Sequence, residues 1–216
     1  MKFKSIITAT GIMLFLLLIE NGAVVCLEPL RKVGYIFNML INLRIGNAIL
    51  TLGCSAIFLY FTNFWKLIKI KQPNFFKLCL YIFIIILFLY IISLWRNYSL
   101  APDRYYFVFS NVNWLLIIIY FTYYPIVEEV FFRGVSIEYL IKNKIPTWTI
   151  ILLTSVLFAI PHIIGYSLMY GFKCPDLVEF FFVAIIFAVV YLRERNLIYC
   201  IVMHAVINLL SVAHLL

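Results

Sequence analysis

The chain is short of acidic charge and of charge altogether. Nine Asp and Glu stand against 17 Lys and Arg, and the two signs together make up 12% of 216 residues, about half the share usual in a soluble domain. A polar, charge-covered surface around one ordinary core is therefore excluded. Gly and Pro are few and scattered, so no flexible or Pro-rich linker divides the chain, and no internal repeat is visible. The five cysteines are an odd number without CxxC spacing, which argues against a disulfide framework and a thiolate zinc site. HExxH, a phosphate-binding GxxxxGK[ST] loop, a GxSxG elbow and a Ser–Lys pair within an apolar run are also missing. The commonest metalloprotease, nucleotide-binding and serine-hydrolase readings thus lack their residues.

What is present is apolar: 66% of the residues, gathered in runs near the ~20 residues that cross a bilayer as a helix. The runs predict an all-α fold, a polytopic transmembrane helical bundle with about seven spans (six to eight), near 5–27, 45–64, 78–95, 108–141, 147–165, 177–192 and 197–214. The fourth is too long for one straight span, and Pro125 removes a backbone donor in its middle, so two helices or one kinked helix is expected there. Lys2 and Lys4 ahead of an apolar run resemble a secretory signal, and Cys26 a lipoprotein cleavage site. Val24 and Val25 occupy positions where small residues belong, so an uncleaved first span is expected.

The net charge of +8 is spread over short clusters between apolar runs, which fits membrane topology and not nucleic-acid binding. Lys2, Lys4, Lys66, Lys69, Lys71, Lys77, Lys142, Lys144, Arg193 and Arg195 fall on one side if the fourth segment crosses once, against Arg31, Lys32, Arg44, Arg96, Arg104 and Lys173 on the other. This bias places the N-terminus in the cytoplasm. Abundant Ile, Phe, Tyr, Lys and Asn suggest an AT-rich coding genome and hence a bacterial plasma membrane.

Ionisable side chains inside spans are costly, so they mark where stability is given up for function. Glu128, Glu129, Arg133, Glu138, His162, Glu179, His204 and His214 supply them after residue 125, whereas the first half offers little beyond Glu20. In Pro125 to Gly134 two carboxylates follow a helix-starting Pro, and Arg133 lies four residues after Glu129, one face of a helix and an ion-pair spacing. Glu128 points about 100° away and is left free as a general base, which desolvation would strengthen. The bland alternative is a solvated helix end. His162 follows Phe158 by one turn, and the neighbouring Pro161 points to a local break that exposes the imidazole; a lone buried histidine is otherwise hydrogen-bonded structure. His204 and Asn208 share a face of the last run, where the alternative is polar glue between helices. Glu138, Glu179 and His214, near span ends, are left outside the site.

Taken in order, Glu128-Glu129-Val130-Phe131-Phe132-Arg133-Gly134, Phe158 to His162 and His204 to Asn208 resemble the E-E-x-x-x-R, F-x-x-x-H and H-x-x-x-N motifs of one family. These are the intramembrane proteases related to the type II CaaX prenyl endopeptidases, which include bacteriocin-processing and self-immunity proteins. The resemblance covers roughly residues 108–214 and implies N-terminal scaffold helices over 1–107 and a catalytic core over 108–216. It implies an endopeptidase in which Glu128, aided by His162, activates water while His204 and Asn208 stabilise the oxyanion, with Glu129 and Arg133 supporting. No cofactor is required by this reading. A divalent metal such as zinc, on Glu128, His162 and His204, is the alternative, disfavoured because Asn208 is a poor zinc ligand and a good donor. The partners are a peptide or membrane-protein substrate and the lipid bilayer. A non-catalytic bacteriocin-immunity or membrane scaffold protein and a small transporter or proton relay stay open as other functions.

Overall fold

The computed structural model describes residues 3–14, 53–99, 119–170 and 174–212. Among these, the regular structure is helical throughout, with no strand. The helices are α1 (Phe3–Leu14), α2 (Gly53–Thr62), α3 (Phe75–Ser99), α4 (Tyr124–Glu129), α5 (Glu138–Lys142), α6 (Thr147–Tyr170), α7 (Cys174–Glu194) and α8 (Leu197–Val212). A short 3₁₀ turn, Phe64–Leu67, follows α2.

The scarcity of glycine shows at the helix ends. Asn63, Lys144 and Arg195 take left-handed backbone angles, with φ of 57°, 57° and 47°, where glycine would be the cheaper residue. At Lys144 the reversal lets its own amide reach the Ile141 carbonyl and the Ile145 amide reach that of Leu140, closing the last turn of α5.

Residues 119–142 form one unbroken helical path. The π-helical stretches Ile119–Tyr123 and Val130–Ile137 flank α4 and lead into α5. Of the two forms expected at Pro125, two helices or one kinked helix, the described part shows a single continuous path. Pro125 enters at the start of α4, immediately after the wider π turn Ile119–Tyr123, which shifts the pairing away from the i−4 carbonyl that the ring would otherwise meet. Likewise α6 passes Pro161 without a break, so the local break expected beside His162 is absent.

Packing buries one side of helices that are apolar beyond it. On α3 Tyr81, Ile85, Leu89 and Ile92 are buried, while Leu80, Phe83, Ile84, Leu87, Tyr90, Ile91 and Leu94 stay exposed; this helix is apolar on every side and uses one stripe for packing. α6 lies along α7, α3 contacts α7 and α8, and α8 packs against the path of residues 119–142. Phe131, Phe132, Phe158, Phe187, Tyr191, Leu197 and Met203 fill the centre.

One described helix, Phe75–Trp95 within α3, is long and apolar enough to cross a membrane. The runs expected at 147–165 and 197–214 contain the shorter apolar helices Thr147–Ile160 and Leu197–Leu210. That at 177–192 falls inside α7, and those at 5–27, 45–64 and 108–141 lie partly outside the described residues, as do Glu20 and His214 entirely.

One end of the bundle is tied by polar groups. The extended segment 68–74 docks on the start of α8: the Leu197 amide donates to the Lys69 carbonyl at 2.8 Å. The Asn196 side chain accepts from the Lys71 amide at 3.1 Å and donates to its carbonyl at 3.0 Å, copying the pairing of a β-bridge. Beside it Lys77 and the Tyr81 hydroxyl donate to Glu194 at 2.8 and 2.6 Å. Glu138, expected as a span-end residue, is buried and held by Arg195 and by Tyr191, whose hydroxyl donates at 2.9 Å.

Candidate active site

Arg133 organises the site. Its guanidinium is 1% exposed, and an unpaired charge so deep would cost several kcal/mol. Nη1 donates to Glu129 Oε1 at 3.0 Å, at the i,i+4 spacing read from the sequence. Its cationic carbon sits 4.5 Å from the Phe158 ring centre and 5.2 Å from that of Phe187, within cation–π range. Nη2 leans on the Ala184 carbonyl at 3.5 Å. α4, α6 and α7 are thereby gathered round one cation.

Glu129 is fully buried and shares the same Oε1 with Nδ1 of His204, 3.0 Å away on α8. A carboxylate paired to arginine can only accept, so the proton of that contact belongs to Nδ1 of His204. The same reasoning applies to His162: its Nδ1 lies 2.8 Å from the Phe158 carbonyl and must donate. In its neutral form each imidazole then presents a bare Nε2.

Both Nε2 atoms face Glu128. His162 Nε2 is 3.6 Å and His204 Nε2 4.0 Å from Glu128 Oε2, too far for direct hydrogen bonds and suited to a bridging water. Oε2 is buried and has no hydrogen-bond partner, an orphan acceptor of the kind that a water or substrate group satisfies. One carboxylate is thus held and the adjacent one is available, the division that the spacing of Glu128, Glu129 and Arg133 suggested. The His162 side chain is 28% exposed, which makes it the accessible edge of the cluster.

The imidazole of His162 is set by aromatic contacts. It stacks on Phe158 with centroids 4.4 Å apart and planes at 22°, and meets Phe180 at 5.2 Å. His204 is bordered by Phe158 at 6.0 Å and Phe187 at 5.8 Å. Asn208 lies one turn beyond His204 on α8 and is partly buried. The structure therefore brings Glu128, Glu129, Arg133, His162 and His204 into one cluster, with Asn208 on the helix that carries His204.

Sequence reasoning missed the contribution of α7. Phe180, Ala184 and Phe187 recur at i, i+4 and i+7, one helix face, but in a run that is apolar on every side this periodicity carries no contrast. The missed elements also include the buried hydroxyls of Ser136 and Ser155, which have no hydrogen-bond partner.

Among the described residues no three His, Cys, Asp or Glu side chains are arranged to hold a metal ion. Tetrahedral zinc ligands at about 2.0–2.1 Å stand roughly 3.4 Å from one another; Glu128 Oε2 is 3.6 Å from His162 Nε2, close to that spacing, and 4.0 Å from His204 Nε2.

Residues 110–210 match the family model described as Rce1-like, type II CAAX prenyl endopeptidase Rce1-like. No curated protein and no solved structure matches the chain.

Proposed function

With residues 110–210 Rce1-like, of the type II CAAX prenyl endopeptidase family, we propose that the protein is an intramembrane endopeptidase in which Glu128 activates the attacking water. The observation that carries the proposal is the buried, partnerless Oε2 of Glu128, facing the Nε2 atoms of two histidines from separate helices.

In the proposed reaction a water lodged between Glu128 and His162 gives a proton to the carboxylate as its oxygen attacks a peptide carbonyl. The new C–O bond forms while the carbonyl electron pair moves to oxygen. Collapse of the tetrahedral intermediate breaks the C–N bond, and the proton on Glu128 passes to the departing amine. Asn208 supplies an amide donor for the oxyanion. His204 can donate there only when it also carries a proton on Nε2, with Glu129 accepting from its Nδ1. Glu129 and Arg133 act as positioning residues.

The apolar outer sides of α3 and the overall composition support a membrane location, since a helix apolar all round needs an apolar environment. We place the catalytic core within 108–216, scaffold helices within 1–107, and the N-terminus on the cytoplasmic side of a bacterial plasma membrane. The substrate class is a peptide or membrane-anchored segment.

The test is cleavage of a peptide library, with and without prenylated C-termini, by purified protein in detergent, alongside Glu128→Gln. Removing the base should lower turnover by at least about 100-fold while the melting temperature stays within a few degrees. Undiminished cleavage by Glu128→Gln would sink the mechanism, and loss of wild-type cleavage on adding a chelator would transfer it to a metal. No cleavage by well-folded protein across the library would favour a binding or immunity role.

A further inference from the structure

The tied end of the bundle carries an unbalanced charge. The stretches that meet there carry eight cations, Lys66, Lys69, Lys71, Lys77, Lys142, Lys144, Arg193 and Arg195. The fold, and not adjacency in sequence, assembles them. The bonds from Leu197 and Asn196 to the 68–74 segment, from Glu194 to Lys77 and from Glu138 to Arg195 draw three separate stretches together. The carboxylates in these stretches, Glu138 and Glu194, are both occupied, by Arg195 and Lys77. The side chains of Lys69, Lys71, Lys142 and Lys144 are exposed. Around this basic plateau stand aromatic side chains open to the outside: Trp65 at 53%, Phe75 at 71%, Phe76 at 82% and Trp148 at 67% exposure. A polyanion without rings would need the cations alone, and a single-stranded nucleic acid could stack on the aromatics. These Trp and Phe, however, adjoin helices with apolar outer sides, α3 above all, which fits the boundary between headgroups and acyl chains.

We propose that this end is an anionic-phospholipid docking surface, with Lys69, Lys71, Lys142 and Lys144 contacting headgroup phosphates while the aromatic rim enters the interface. This rests on the membrane reading above. It also sets the depth of the candidate site. Glu129 lies 13 residues before Lys142 on one helical path, at most about 20 Å at the α-helical rise of ~1.5 Å per residue and less through the wider π turns of Val130–Ile137. With Lys142 at the headgroups, the cluster is inside the ~30 Å hydrocarbon layer.

The experiment compares wild type, a variant with Lys69, Lys71, Lys142 and Lys144 all changed to Gln, and a charge-conserving variant with the same four changed to Arg. Each is placed in nanodiscs of phosphatidylcholine alone or mixed with phosphatidylglycerol, and lipid preference is titrated in detergent at low and high salt. Wild type and the Arg variant should prefer phosphatidylglycerol in a salt-sensitive manner, and the Gln variant should lose about fivefold of that preference per lysine. Equal preference in wild type and Gln variant, with all proteins entering discs, overturns the docking surface and leaves the membrane reading intact. Failure of folded wild type to enter any disc overturns the membrane reading itself. Stabilisation by an oligonucleotide or polyglutamate in detergent, matching or exceeding that by phosphatidylglycerol, would assign the plateau to a soluble polyanion instead.

Discussion

Replacing Arg133 by methionine keeps much of the side-chain volume and removes the charge. The cation is 1% exposed, and Glu129, its partner at 3.0 Å, is fully buried. The substitution therefore leaves a buried carboxylate whose remaining donor is His204 Nδ1 at 3.0 Å. Breaking one side of a buried pair costs about 3–5 kcal/mol, and losing the faces of Phe158 and Phe187 adds up to about 2 kcal/mol. Against a total stability of about 5–15 kcal/mol, that is a large share, equivalent to a fall in melting temperature of roughly 10 °C or more for a chain of this size. Changing Glu129 to Gln in the same protein removes the stranded charge, so the double variant Glu129→Gln/Arg133→Met should recover about 2 kcal/mol relative to Arg133→Met alone. A double-mutant cycle by thermal unfolding in one detergent supplies the numbers. A single-variant cost below about 1 kcal/mol, or costs that simply add across the cycle, would refute the view that this ion pair holds α4, α6 and α7 together.

Glu194 gives a pH prediction. The hydrogen bond from Lys77, followed by that from Tyr81, holds its carboxyl below the ordinary carboxylate value. A depressed carboxyl contributes stability that is present above its unfolded pKa and is lost as pH falls through the folded one. Melting followed downward from pH 6 should show this loss in wild type and a smaller one in Glu194→Gln; because Lys77 is half exposed, the effect is small. Asn196→Ala removes both side-chain bonds to the Lys71 backbone and should cost about 1–3 kcal/mol, with faster hydrogen exchange at Lys71. Unchanged exchange there would show that the 68–74 segment is held by other contacts.

Much of the site was legible because its residues are anomalies. A carboxylate, guanidinium or imidazole within an apolar run stands out whatever the fold, and the four-residue step from Glu129 to Arg133 reports a shared helix face directly. The pairing of Glu138 with Arg195 was not legible, since 57 residues separate them and each alone resembles an ordinary span-end charge. Of the two alternatives open at Pro125, two helices or one kinked helix, the sequence could not choose, because the rule that proline divides a helix assumes α-helical pairing and the preceding π turn relaxes it.

The sequence by itself determined the helical class and the apolar character, because hydropathy is a local property, and the motif resemblance, with helical spacing, nominated Glu128, Glu129, Arg133, His162, His204 and Asn208 as candidate residues. Only the tertiary structure decided that Glu129 binds Arg133 and His204 through one oxygen, that both histidines turn Nε2 towards Glu128, and that Phe180, Ala184 and Phe187 complete the wall. Those facts depend on the rotation of four packed helices about their axes. In segments apolar on every side no hydrophobic stripe fixes that rotation, so it is set by the few buried polar groups that must find one another.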